Sequence, residues 1–154
     1  YPEWNFKIIG SPRLGEKKFN DSFSNNVKKN FNEIGSQAFM LGFVTEKKVK
    51  KIMKEASIIV IPSVWQEPFG LVVLEAMSSG LAIIASRVGG IPEILNKNGI
   101  LIDNINSAKI AKLLDKLLAD KNEIRKWQMA SLKNFNLSAK LSSKKLDNFR
   151  KNLL

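Results

Sequence analysis

Five short apolar runs, Phe6–Ile9, Ala38–Leu41, Ile58–Ile61, Ala82–Ala85 and Ile100–Ile102, recur along this chain with helix-like patterns between them. Each run is short, most are rich in β-branched residues, and none alternates with polar residues, as suits a strand buried on both faces. Strands that alternate with helices argue for βαβ units and a parallel sheet, because a parallel neighbour can be reached only by a long crossover. Gly10, Gly42, Pro62 and Gly99 punctuate the strand ends. The helical patterns fall at Ser24–Ile34, Glu46–Glu55, Gly70–Ser79, Pro92–Leu95 and Ser107–Ala119, with two more near Asn122–Asn134 and Ser138–Asn152. In the fifth, Ile110, Leu113, Leu114, Leu117 and Leu118 mark one apolar face. Gly80 stands where a left-handed helix terminator belongs, and Pro92 where a proline fits a first helical turn. The expected fold is α/β: a doubly wound parallel sheet with helices on both faces, one domain over residues 1–154 and no internal repeat.

Composition narrows the chemistry. The chain has 154 residues, 44% of them hydrophobic, enough for a sizeable core. It contains no cysteine and no histidine, so disulfides, thiolate nucleophiles, the commonest metal ligands and the commonest general base are all absent. Any reaction must use carboxylates, amides and cations. No apolar run reaches the roughly 18 residues of a membrane span, and Tyr1-Pro2-Glu3-Trp4 does not resemble a signal peptide, so a cytoplasmic protein is expected. The formal charge is +11. Lysine and asparagine are spread along the whole chain, which favours a compositional bias over a built nucleic-acid surface. Beyond Lys109, however, cations outnumber acids, with Lys140, Lys144, Lys145, Arg150 and Lys151 near the end. That region suits a surface meeting anionic lipid or a phosphorylated substrate.

The residues that most constrain function are Glu67 and Glu75 in Glu67-Pro68-Phe69-Gly70-Leu71-Val72-Val73-Leu74-Glu75-Ala76-Met77. In doubly wound sheets ligands collect at the carboxyl ends of strands, and the strand Ile58–Ile61 runs into the loop that carries Glu67. The next helix begins near Phe69-Gly70-Leu71. Its first amides have no intrahelical acceptor and point, with the positive helix dipole, toward any anion, as a diphosphate would be. Gly70 lets a ligand approach the backbone. Glu67 alone also reads as an ordinary first-turn acid. Glu75 lies among apolar residues on nearly every face of its helix, and a buried acid needs donors, from an internal salt bridge or from the hydroxyls of a ligand.

Weaker signals surround this pair. Gly89 and Gly90, in Ser86-Arg87-Val88-Gly89-Gly90-Ile91-Pro92-Glu93, form either a second anion or sugar cradle or a plain tight turn. Gly42-Phe43-Val44-Thr45 offers backbone groups to a nucleobase or merely joins strand to helix. Trp65 and Trp127 are expected to pack rather than to stack on a ligand.

Taken together, Ile58-Ile59-Val60-Ile61-Pro62-Ser63, Glu67-Pro68-Phe69-Gly70-Leu71, Glu75-Ala76-Met77, Gly80, Ile83-Ile84-Ala85-Ser86 and Gly89-Gly90-Ile91-Pro92-Glu93 resemble the C-terminal, donor-binding half of the group 1 (family 4) glycosyltransferases. The resemblance covers nearly the whole chain. It implies half of a GT-B fold, a Rossmann-like domain, and transfer of a sugar from a nucleotide diphosphate donor with retention at the anomeric carbon, without a metal or other cofactor. It places Glu67 on the donor-sugar hydroxyls, the amides of Phe69, Gly70 and Leu71 on sugar and diphosphate, Glu75 on the ribose hydroxyls and the Val44 backbone at the base. Gly89 and Gly90 join them as donor-binding candidates. The family's Arg/Lys phosphate clamp has no counterpart, and Arg13 and Lys17 do not fit its place. A domain of a longer enzyme is therefore expected, without its first βα unit or the acceptor domain, and inactive alone. Such enzymes often build cell-surface polysaccharide or glycolipid, so the implied acceptor is a sugar or glycolipid, with peripheral contact at the cytoplasmic membrane face and no nucleic-acid partner. The reading from a different class is a noncatalytic nucleotide- or anion-binding module. A dinucleotide-dependent oxidoreductase is disfavoured, since no Gly-x-Gly-x-x-Gly follows the first strand.

Overall fold

The computed structural model describes residues 1–10, 22–133, 135 and 139–151. Arg13 and Lys17 lie outside the described residues, as do the expected helix ends Asn134, Ser138 and Asn152. The element order is β1 (Phe6–Ile8), α1 (Ser22–Glu33), β2 (Ala38–Met40), α2 (Glu46–Glu55), β3 (Ile58–Ile61), α3 (Leu71–Ser78), β4 (Ala82–Ser86), α4 (Ile91–Leu95), β5 (Ile100–Ile102), α5 (Ser107–Ala119), α6 (Lys121–Lys133) and α7 (Ala139–Lys151). Among the described residues all strand pairs are parallel, so the α/β class read from the alternation holds.

The strands do not form one ladder. β1 pairs with β2, while β3, β4 and β5 make a separate three-stranded sheet in that order. The chain correspondingly divides into two compact units, Tyr1–Ile52 and Met53–Leu154. In the first unit Phe6 pairs with Ala38 and Ile8 with Met40. The Phe6 ring lies 5.5 Å from that of the buried Phe31 of α1. Beside β2, the Gln37 side-chain amide donates to the carbonyls of Tyr1, Pro2 and Trp4 at 3.2, 2.6 and 2.9 Å, which fixes the segment leading into β1.

The second unit carries most of the core. β4 is buried over its whole length, as the central strand must be, with Ile84 paired to Val60 on one side and Ile100 on the other. Val73, Ala76 and Met77 of α3, Ile91 and Leu95 of α4, Leu117 of α5 and Ile124 of α6 are also buried. Side chains of that size contribute about 1.5–3 kcal/mol each when removed from water. α6 is fastened at the amino ends of the strands. Its buried Ser131 donates to the Leu81 carbonyl at 2.8 Å, and Gln128 donates to the Ser57 carbonyl at 3.2 Å. The loops leaving the carboxyl ends are therefore at the opposite edge. Helix α3 closes with Gly80 at φ +70°, where the Gly80 N–H reaches the Met77 carbonyl at 3.0 Å and the Leu81 N–H reaches Ala76 at 3.2 Å. This is the left-handed terminator read from the sequence. Among the described residues no helix is long and apolar enough to cross a membrane.

Candidate functional site

Three loops leave the carboxyl ends of β3, β4 and β5 in the second unit: Pro62–Gly70, Arg87–Gly90 and Asp103–Asn106. They are tied to one another. Ser86 Oγ donates to the Ile61 carbonyl at 3.3 Å, and the Arg87 N–H donates to Ile102 at 2.9 Å. The Arg87 guanidinium meets Asp103 at 2.9 Å, and Lys109 donates to the carbonyls of Asp103 and Asn104. The cations closest to this edge in sequence are thus engaged inside the protein.

Glu67 is half-buried in the first of these loops. Gly70 follows at φ +76°, a left-handed conformation that costs a residue with a Cβ about 1 kcal/mol or more, and it starts α3 with no side-chain cap. The Val73 N–H turns back to the Gly70 carbonyl at 2.9 Å. The N–H groups of Phe69, Gly70, Leu71 and Val72 have no acceptor among the described residues. These four adjacent donors stand at the positive end of a helix, the polarity that favours an anion.

Glu75 is not the buried acid that its apolar neighbours suggest. Leu71 and Val72 are exposed, and Glu75, four and three residues further on, shares their side of α3 and is half-buried. Among the described residues neither Glu67 nor Glu75 has an ion pair or a side-chain hydrogen bond. The internal salt bridge considered for Glu75 is absent there, and both carboxylates remain open acceptors.

Gly89 and Gly90 face the Glu67 loop. The Gly89 N–H donates to Gln66 Oε1 at 2.9 Å and the Gly90 N–H to the Glu67 carbonyl at 2.8 Å, so both amides are engaged. Trp65 also departs from expectation: it is 60% exposed beside Val64 at 85%, and Phe69 is 51% exposed, so this indole does not serve the core. Trp127 is half-buried on α6. The signal missed in the sequence is Gln66, whose side chain reaches a turn 23 residues away. Val44 belongs to the first unit, in the loop between β2 and α2, where Gly42 adopts φ +62° and its carbonyl accepts from the Gly10 N–H at 3.0 Å. Among the described residues no group of three or more carboxylates is placed to hold a metal ion.

A Rossmann-like α/β architecture of the GT-B type is the class to which this arrangement of parallel strands and helices belongs. Residues 1–133 match the family described as "Glycosyl transferases group 1", and the chain belongs to that family. A lipopolysaccharide 1,2-N-acetylglucosaminetransferase of Salmonella typhimurium is 30% identical over 118 residues, 74% of this chain and 31% of that protein. The crystal structure of the C-terminal domain of a group 1 family glycosyl transferase, LpcC of Francisella tularensis, superposes with a TM-score of 0.72 at 29% identity, over 86% of this chain and 68% of that one. Anabaena HepE in complex with UDP-glucose superposes with a TM-score of 0.77 over 98% of this chain and 42% of that one; at 18% identity it bears on the fold alone. The chain spans only between 21% and 33% of the length of the first curated relatives it matches.

Proposed function

We propose that this chain is the donor-binding half of a retaining glycosyltransferase that moves a sugar from a nucleotide diphosphate to an acceptor in cell-surface polysaccharide or glycolipid synthesis. One observation carries the reading: four acceptor-free amides, Phe69 to Val72, lie between two carboxylates that have no partner among the described residues. The chemistry follows from these parts. In the reaction the bond from the anomeric carbon to the β-phosphate oxygen breaks, the bond to the acceptor oxygen forms, and the nucleotide diphosphate leaves with the electron pair and takes up the proton that the acceptor hydroxyl loses. Negative charge grows on the diphosphate as it leaves, and preorganised amides at a helix start stabilise that charge. Glu67 accepts from hydroxyls of the donor sugar and Glu75 from the ribose pair, each as a charge-assisted acceptor. The reading assigns no metal or cofactor to the site. That a relative 30% identical is a lipopolysaccharide 1,2-N-acetylglucosaminetransferase supports it. Exposed Lys144, Lys145, Arg150 and Lys151 on α7 support a contact with anionic lipid near the acceptor.

Calorimetric titration with nucleotide diphosphates, nucleotide diphosphate sugars, a short duplex and anionic vesicles, at low and moderate salt, tests this reading. Binding of the nucleotide sugar, weakened about tenfold or more by Glu67→Ala while the bare diphosphate is held as before, is expected. Tight duplex binding with no nucleotide response would instead make the chain a basic binding module.

A further inference from the structure

The Pro62–Gly70 loop has no regular structure of its own, yet it carries Glu67. A carboxylate that must meet a sugar hydroxyl needs placement to within about 0.5 Å, which a free loop does not provide. The loop is held from across the sheet. Two successive amides, those of Gly89 and Gly90, donate to two successive residues, Gln66 through its side chain and Glu67 through its carbonyl, at 2.9 and 2.8 Å. The approach is too close for any side chain. A Cβ at Gly89 would stand 2.6 Å from the Glu67 nitrogen, and one at Gly90 would stand 2.7 Å from the Pro68 carbonyl oxygen. Gly89 also adopts φ +51°. The far side of the same turn is anchored to β5, through the Arg87 N–H to Ile102 and the Arg87 guanidinium to Asp103.

We infer that Gln66, Gly89 and Gly90 form a brace that sets the Glu67 carboxylate in place before any ligand arrives, and that they act as positioning residues and not as donor contacts. The inference rests on the reading of Glu67 as a sugar contact. Gln66 supplies the only side-chain acceptor of the brace; the rest is backbone. Substitution at 66 therefore loosens it without steric insult, whereas Gly89→Ala drives a methyl group into the Glu67 backbone and risks the fold of the whole edge.

The decisive pair is Gln66→Met, which keeps length but loses the acceptor, and Gln66→Glu, which keeps an acceptor oxygen. Amide hydrogen exchange in the ligand-free protein should show Gly89 protected in the native chain, unprotected in Gln66→Met and protected again in Gln66→Glu. In the full-length enzyme, Gln66→Met should lower kcat for sugar transfer about 10- to 100-fold, the cost of a displacement near 1 Å. Affinity for the bare nucleotide diphosphate should stay within about twofold, since the helix-start amides are untouched. Equal Gly89 exchange in the native and Gln66→Met proteins, or an unchanged kcat, would overturn the brace. Should the native enzyme bind no nucleotide sugar, the functional reading falls, while the exchange comparison still decides whether Gln66 holds the turn.

Discussion

Glu75→Gln separates a carboxylate held for a ligand from one held for the fold. The substitution is nearly isosteric and removes only charge. The Glu75 carboxylate has no ion pair or hydrogen bond among the described residues, and the residue stands half-buried beside exposed Leu71 and Val72. Nothing in the folded chain is left unpaired by the change, so the stability loss should stay within about 0.5 kcal/mol, the scale of a surface substitution. Had the side chain closed a buried ion pair, breaking it would cost about 3–5 kcal/mol. Binding should respond in the opposite sense. A hydroxyl donating to a carboxylate contributes about 1.5–3 kcal/mol, against about 0.5–1.5 for a neutral acceptor. Two ribose hydroxyls then lose roughly 2–3 kcal/mol together, which at 1.4 kcal/mol per decade is a weakening of about 30- to 100-fold. Because ribose belongs to the nucleotide, the bare diphosphate should show the full effect. Urea denaturation with an unchanged m-value and calorimetry with the bare nucleotide diphosphate measure the two quantities. A stability loss above about 2 kcal/mol with affinity unchanged would return Glu75 to a structural role and refute the argument.

Two further outcomes are expected. Ile84→Ala, at a fully buried position in the middle of the central strand, should cost about 2–5 kcal/mol and lower the thermal midpoint accordingly. A loss below about 1 kcal/mol in a thermal scan would mean that the sheet relaxes around the cavity. Glu46 at the start of α2 is bonded by Lys50, and that hydrogen bond and charge hold its carboxyl below the usual carboxylate value. A lowered folded value means that its contribution is complete above the ordinary value and is lost as pH falls through the lowered one. An NMR titration should therefore show an inflection below the ordinary value that moves back in Lys50→Met; an unmoved inflection would remove Lys50 as its cause.

Much of the fold is legible in the chain because strand and helix signals are local. β3 and β5 and helices α2 and α5 coincide with their expected spans, since β-branched runs and amphipathic faces mark them and Gly or Pro ends several of them. Ile9 and Leu41 fall just outside their strands, although the Leu41 N–H still reaches the Ile8 carbonyl at 2.9 Å. The grouping of strands into two sheets is lateral information, which no run of apolar residues carries. At the site, the helix start and both acids could be read from residue types. The exposure of Glu75 could not, because α3 is apolar all round and only the neighbouring elements decide which apolar side is covered: Val73, Ala76 and Met77, but not Leu71 or Val72. The engagement of the Gly89 and Gly90 amides was equally hidden, since it depends on the Gln66 side chain and the Glu67 carbonyl, both distant in sequence.

Helix α3 has a left-handed glycine beyond each end, Gly70 directly before Leu71 and Gly80 just past the C-cap Ser79. Its length is consequently a mechanical gauge. One added residue between Gly70 and Glu75 would rotate Glu75 by about 100° about the axis and carry it about 1.5 Å along, out of phase with Glu67. Leu71, Val72 and Leu74 can change identity without disturbing that gauge, whereas insertions and deletions cannot be absorbed.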